Sequence, residues 1–317
     1  RNWVMGYIFG PVPSRRLGRS LGIDLVPLKT CTYDCIYCQL GRTTCKTLQR
    51  KKWFPLDEIV EELREKISSS PDYITLAGSG EPTLYSRIGE LIEKIRSMTD
   101  IPVAVLTNGS LFRRKDVRRE LMGAHLVIPS LDAGNPVMFQ AVNRPHPDIS
   151  FEQMLEGLIA MKNEFRGLYW LEVFFLGGYT AIPGEAQAIA RCARLIKPDL
   201  VQLNTVTRPP AEDYAAGVGR THLEKLAGLF VPRAAVIADY RDIHGKAEFT
   251  ATRDTVLEMI KRRPCSLEDI AGGLGIHPNE AAKHVGELLA IGRIEQLLPV
   301  GGKSFFRISP GRKSPTR

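Results

Sequence analysis

The chain lacks most of the features that would settle its class at a glance. In its 317 residues there is no apolar run of the length that spans a bilayer, so no transmembrane helix is expected. The first ten residues, Arg1 to Gly10, lack the parts of a secretory signal. Cysteine is scarce: there are six, three of them within eight residues, which does not read as a disulfide scaffold and fits a reducing cytoplasm. No G-x-G-x-x-G opens a predicted helix, so a nicotinamide-binding reading has little support. The remaining composition, 44% hydrophobic and 25% charged, is that of a globular protein with room for one large domain and one small one. A net charge of +8 and a pI near 9.2 permit an anionic partner such as RNA without establishing one.

What the chain does have is the stretch Cys31-Thr32-Tyr33-Asp34-Cys35-Ile36-Tyr37-Cys38, spaced C-x3-C-x2-C. Thiolates are soft ligands that suit zinc and iron–sulfur clusters. A structural zinc or an ordinary [4Fe–4S] site takes four protein ligands. Three cysteines on one loop hold three irons of a cubane and leave the fourth iron open to a chelator. S-adenosylmethionine (SAM) chelates through its amino and carboxylate groups. With Cys45 as a fourth ligand, zinc or a plain electron-transfer cluster are the competing readings. The spacing, with Tyr37 just before the last cysteine, resembles the radical SAM superfamily. The run Gly10-Pro11-Val12-Pro13-Ser14-Arg15-Arg16-Leu17-Gly18, leading into Ser20-Leu21-Gly22-Ile23-Asp24, resembles more narrowly the iron–sulfur oxidoreductases related to wyosine-type tRNA-modifying enzymes.

Hydrophobic patterning predicts six strands, at Leu21–Val26, Tyr73–Ala77, Val103–Leu106, His125–Pro129, Tyr169–Leu176 and Leu200–Leu203. Helices are expected over Pro55–Ser68, Ser86–Met98, Arg113–Met122, Phe151–Phe165 and Ala186–Ile196. Such alternation implies a parallel sheet with right-handed crossovers, an α/β chain. Each unusual polar or glycine-rich stretch comes just after a strand, where barrels of this build carry their sites. The resemblance implies a partial (β/α)6 TIM-like barrel over residues 1–248.

By the same resemblance, Gly78-Ser79-Gly80-Glu81-Pro82 is the turn that meets the SAM ammonium, with Gly78 and Gly80 for close approach and Glu81 as acceptor. Ser130 and Asp132 bind the ribose or the methionine part, and Asn108 does so from the neighbouring strand end. Tyr37 belongs to the cofactor pocket, and Cys31, Cys35 and Cys38 are the cluster ligands. Glu172 interrupts an apolar strand and needs a ribose hydroxyl or an arginine partner. Asn204 lies near the adenine or the substrate. Arg15, Arg16 and Arg19 are either solvated charge around a turn or a grip on an anion near the cluster. His146, in Asn143-Arg144-Pro145-His146-Pro147, reads as a loop histidine, and Arg208 as a cation at the sixth strand's mouth. Cys45 is a surface thiol, a substrate-facing donor or a second-cluster ligand.

Residues 249–309 change pattern. Helices at Arg253–Arg263, after Ser266 and from Pro278 to Ala290, then a hairpin of Ile294–Leu298 and Ser304–Ile308 around Gly301-Gly302, predict a winged helix-turn-helix. Its third helix exposes Asn279, Glu280, Lys283 and Glu287, which is too acidic for a typical DNA-reading helix. Lys303 and the tail of residues 310–317, with Arg312, Lys313 and Arg317, are better placed for a nucleic-acid backbone. A peptide or protein partner is an equal reading. Together these features imply an enzyme that cleaves SAM with an electron from a flavodoxin- or ferredoxin-type reductant and acts on RNA, a peptide or a metabolite. The alternative is a cluster-bearing redox sensor that binds nucleic acid without SAM chemistry.

Overall fold

The structure, a computed structural model, describes residues 6–14, 16–237, 253–274, 276, 278–300 and 303–309. Arg15, the predicted boundary at residue 249, the predicted hairpin turn at Gly301-Gly302 and the basic tail lie outside the described residues. The chain divides into two compact units. The described residues of Arg1–Val206 and Pro210–Asp239 form one; those of Thr207–Pro209 and Tyr240–Arg317 form the other.

The first unit opens with an antiparallel hairpin, β1 (Ile8–Ser14) and β2 (Gly18–Ile23). The short parallel pair β3 (Thr30–Cys31) and β4 (Cys45–Lys46) brackets the cysteine loop. There follow α1 (Leu56–Lys66), β5 (Tyr73–Leu76), α2 (Ile88–Met98), β6 (Val103–Thr107), α3 (Lys115–Glu120), β7 (Leu126–Pro129), α4 (Pro136–Val142), α5 (Phe151–Glu164), β8 (Leu168–Phe175), α6 (Pro183–Ile196), β9 (Leu200–Thr205), α7 (Arg220–Ala227) and β10 (Ala235–Val236). All six predicted strands are present. The sheet order is β1-β2-β5-β6-β7-β8-β9-β10, parallel from β2 to β10, with β1 antiparallel at one edge. This is a partial barrel.

The helices form for ordinary reasons. In α1 the buried Leu56, Ile59, Val60 and Leu63 recur at helical spacing, with Asp57 and Glu58 in the first turn and Arg64 and Lys66 in the last, as the helix dipole favours. Burying each such side chain contributes about 2 kcal/mol. Helix α5 starts at a reciprocal capping box between Ser150 and Gln153.

Strand β8 shows the two faces of the sheet. Tyr169, Leu171, Val173 and Phe175 are buried beneath the helices, while Trp170, Glu172 and Phe174 face the other way and are half-buried. On that concave face the tip of the first hairpin turns inward. Leu17 is buried with Ala104, Leu126 and Ile128, beside Trp170. Arg16 pairs with Glu172 at 2.8 Å and reaches Gln202 on β9 at 3.4 Å. Arg16 is therefore not solvated but holds a carboxylate, that of Glu172; Arg19 bonds to the Ser69 carbonyl.

The second unit comprises α8 (Arg253–Arg262), β11 (Cys265–Ser266), α9 (Leu267–Leu274), α10 (Pro278–Ala290), β12 (Ile294–Val300) and β13 (Lys303–Ile308). Its antiparallel sheet has the order β11-β13-β12. Ser266 and Asp269 cap α9 reciprocally, each backbone N–H meeting the other's side chain at 3.1 Å. Asp269 also pairs with Arg208 at 3.2 Å, so Arg208 is a member of this unit and is buried in an ion pair.

Candidate functional site

The cysteine loop lies where β2 and β5 to β9 end, and three separate segments hold it. The loop closes on itself through Cys38 N–H to the Cys35 carbonyl (3.1 Å) and Thr43 N–H to Asp34 (2.7 Å). After β6, Asn108 Nδ2 donates to Thr32 Oγ1 at 2.7 Å, and the Thr32 and Ser110 hydroxyls meet at 2.8 Å. After α4, the carbonyls of Val142 and Asn143 accept from Ile36 and Asp34 N–H, and His146 N–H donates to the Thr32 carbonyl. After β9, Glu212 N–H donates to the Ile36 carbonyl, while its carboxylate pairs with Arg42 (2.8 Å) and Arg144 (2.5 Å). Arg144 occupies a left-handed backbone conformation (φ 45°) that its side chain secures, through Glu212 and the Tyr214 hydroxyl.

Cys31, Cys35 and Cys38 are free, half-buried thiols, and burial pushes all three pKa values up, that of Cys31 to about 12. Among the described residues no three His, Cys, Asp or Glu side chains converge tightly enough to hold one ion. A cluster asks for something different, since each thiolate binds a separate iron, and the donor set on this loop fits it. Cys45 is exposed on β4, opposite Thr30, whereas the other three are half-buried.

Asp132, just after β7, is 4% exposed and accepts three hydrogen bonds: from the Tyr37 hydroxyl, from Asn143 Nδ2 (2.9 Å) and from Phe174 N–H (3.0 Å). Burial raises its pKa to about 6 against these donors. The Tyr37 ring stacks on Phe174, centroids 4.1 Å apart. The Asp132 carboxylate thus braces Tyr37.

Glu81 is likewise turned inward. It is 2% exposed, and its carboxylate accepts from Thr83 N–H (3.1 Å), Thr83 Oγ1 (2.6 Å), Thr107 Oγ1 (2.5 Å) and Asn108 N–H (2.8 Å). Desolvation raises its pKa and these donors oppose the rise. With these four donors the carboxylate joins the ends of β5 and β6. The two glycines before it are sterically required. Gly78 has φ +118°, and a Cβ there would lie 1.9 Å from Asp24 Oδ1; a Cβ on Gly80 would lie 1.9 Å from the Thr30 carbonyl, in the cysteine loop.

Other predicted residues divide. Ser130 is half-buried, bridges to Glu172 through its backbone, and its hydroxyl has no protein partner among the described residues. Glu172 has the arginine partner that its position demanded, Arg16, and also accepts from Asn204 Nδ2 at 2.8 Å. Asn204 is therefore engaged on Glu172. His146 Nδ1 faces its neighbour Asp148 N–H at 3.3 Å. The residue that sequence reasoning missed is Asn143, 2% exposed, whose amide reaches Cys35, Tyr37 and Asp132 together.

Residues 25–188 match the Radical SAM superfamily. GTPase Obg of Brachyspira hyodysenteriae is 41% identical over 287 residues, 89% of this chain, and the chain spans only 42% of that protein's length. A UPF0026 protein of Helicobacter pylori strain J99 is 31% identical over 305 residues, 94% of this chain and 96% of that one. Among solved structures, SuiB of Streptococcus suis bound to S-adenosylmethionine superposes with a TM-score of 0.52 at 14% identity, over 72% of this chain and 53% of that one, a likeness of fold. The chain thus belongs to the radical SAM superfamily, among the UPF0026 proteins, and its cofactors are those of the superfamily, a [4Fe–4S] cluster and S-adenosylmethionine.

Proposed function

We propose that this protein is a radical SAM enzyme in which Cys31, Cys35 and Cys38 hold a [4Fe–4S] cluster whose fourth iron is left for SAM. The observation that carries this reading is the frame around the loop: three segments, after β6, at the end of α4 and after β9, hold the loop that carries three half-buried thiols, while Cys45 is exposed. When bound, the cofactor pair supplies reductive cleavage of SAM to methionine and a 5′-deoxyadenosyl radical, with an electron from an external donor. The protein's part is to orient and to exclude water. Tyr37 is held flat on Phe174 by Asp132. Ser130 and the Gly78–Gly80 turn are the groups we assign to SAM, with Asp132 and Glu81 bracing the strand ends around them.

For the substrate we propose a tRNA base, which the likeness of Gly10–Gly18 to wyosine-type enzymes supports. We read the second unit as a winged helix-turn-helix that recruits it, with Lys303 on the wing. Three helices and a β11-β13-β12 sheet support that reading. The test is anaerobic reconstitution, dithionite and SAM, with detection of 5′-deoxyadenosine. A protein carrying four irons that releases none overturns the chemistry. The nucleoside profile of tRNA from a deletion strain tests the substrate, and a profile identical to wild type removes it.

A further inference from the structure

Two ligating thiols carry an asparagine amide. Asn143 Nδ2 lies 3.5 Å from Cys35 Sγ, and Asn108 Nδ2 lies 3.6 Å from Cys31 Sγ, both distances at which an N–H donates to sulfur. Asn143 is anchored through its backbone as well as its side chain. Its backbone N–H is held by the Phe139 carbonyl at the end of α4, and its own carbonyl is held by Asp34 N–H of the cysteine loop. Its two side-chain hydrogens are shared among three acceptors: Asp132 Oδ2 takes one, and Cys35 Sγ and the Tyr37 hydroxyl compete for the other. Asp132 therefore orients the amide, and the amide faces the thiol in a dry site where its dipole is little screened.

We propose that Asn143, with Asn108 as its counterpart on Cys31, sets the reduction potential of the cluster by donating hydrogen bonds to two of its three thiolates. The inference rests on the assignment of these cysteines as cluster ligands. Reduction adds negative charge that spreads onto the ligating sulfurs. A fixed N–H donor stabilises the reduced form more than the oxidised one and raises the potential. Asn143 is then a positioning and tuning residue that touches neither SAM nor substrate. It couples the loop's redox chemistry to the same Asp132 that holds Tyr37.

The experiment is an EPR-monitored redox titration of the anaerobically reconstituted full chain without SAM. Asn143→Leu keeps the shape and removes the donor; Asn135→Ala disturbs the other end of α4, where Asn135 caps Met138 N–H, and touches no thiol. The expected result is four irons per chain in all three proteins, a midpoint shifted to more negative potential in Asn143→Leu, and a wild-type midpoint in Asn135→Ala. An unmoved midpoint in Asn143→Leu, or an equal shift in Asn135→Ala, overturns the inference. If Asn143→Leu holds no iron, the reduced wild-type protein with 15N-labelled asparagine side chains decides: two amide couplings to the cluster are expected, and fewer than two overturns it. Iron content is the separate control, because a wild-type chain without four irons at the triad refutes the ligand assignment itself.

Discussion

The hydroxyl of Tyr37, in the cysteine loop, donates to Asp132, 95 residues further along the chain. That bond links the aromatic residue next to Cys38 to the end of β7, and two more donors converge on the same carboxylate. Asp132→Ala strands three buried donors. The expected cost is about 2–4 kcal/mol of stability, from hydrogen bonds to a charged acceptor, with faster iron loss from the reconstituted protein. Thermal unfolding and iron release rates measure both. An unchanged melting temperature with SAM affinity alone reduced would place this carboxylate on the cofactor instead.

Glu81→Ala is expected to behave similarly, since four donors lose their acceptor. A stability loss of about 2–4 kcal/mol is anticipated, together with faster hydrogen exchange at the Asn108 amide. Full protection at Asn108 would contradict the bracing role.

Arg16 and Glu172 form a pair with 12% and 15% of their side chains exposed. Removing either leaves a nearly buried charge, costing about 3 kcal/mol. The double variant Arg16→Met/Glu172→Gln should recover part of that, a coupling of about 1–2 kcal/mol in a double-mutant cycle. Strict additivity would mean that Asn204 alone holds Glu172.

Cys31→Ala, Cys35→Ala and Cys38→Ala should each abolish a cluster of about four irons, while Cys45→Ala keeps it. Iron and sulfide analysis distinguishes the two sets. Equal loss from Cys45→Ala would convert the open-iron site into a four-cysteine one.

If the second unit grips RNA, tRNA binding by the full chain should weaken steeply as salt rises, through counterion release. Lys303→Glu should weaken it further and flatten the slope by about one. Salt-independent binding would identify a protein partner.

The barrel was legible because β2 and β5 to β9 read as alternating strand and helix, and the cysteine spacing is dense enough to stand out. Strand β1 was not read as a strand: Gly10-Pro11-Val12-Pro13 is proline-rich, and such a run can pair only at an edge, as it does. Period-two alternation in Leu171-Glu172-Val173 already separates Glu172 from the helix-facing side, but not which arginine meets it. The inward turn of Glu81 and Asp132 depends on donors brought in by tertiary folding, beyond any local pattern. Asn143 is the clearest case. It lies 108 residues from Cys35 and carries no spacing signal, and only the return of α4 across the loop brings them together.

The frame around the cysteine loop also has a biosynthetic order. The loop leaves the ribosome before its partners: Ser110 comes 78 residues after Thr32, Asn143 comes 108 after Cys35, and Glu212 comes 170 after Arg42. Contacts of such separation form only after long loops have closed. The frame around the thiols is thus complete only once β9 and the segment carrying Glu212 have been made, and a chain stalled before Glu212 would lack the Glu212 contacts to Ile36, Arg42 and Arg144.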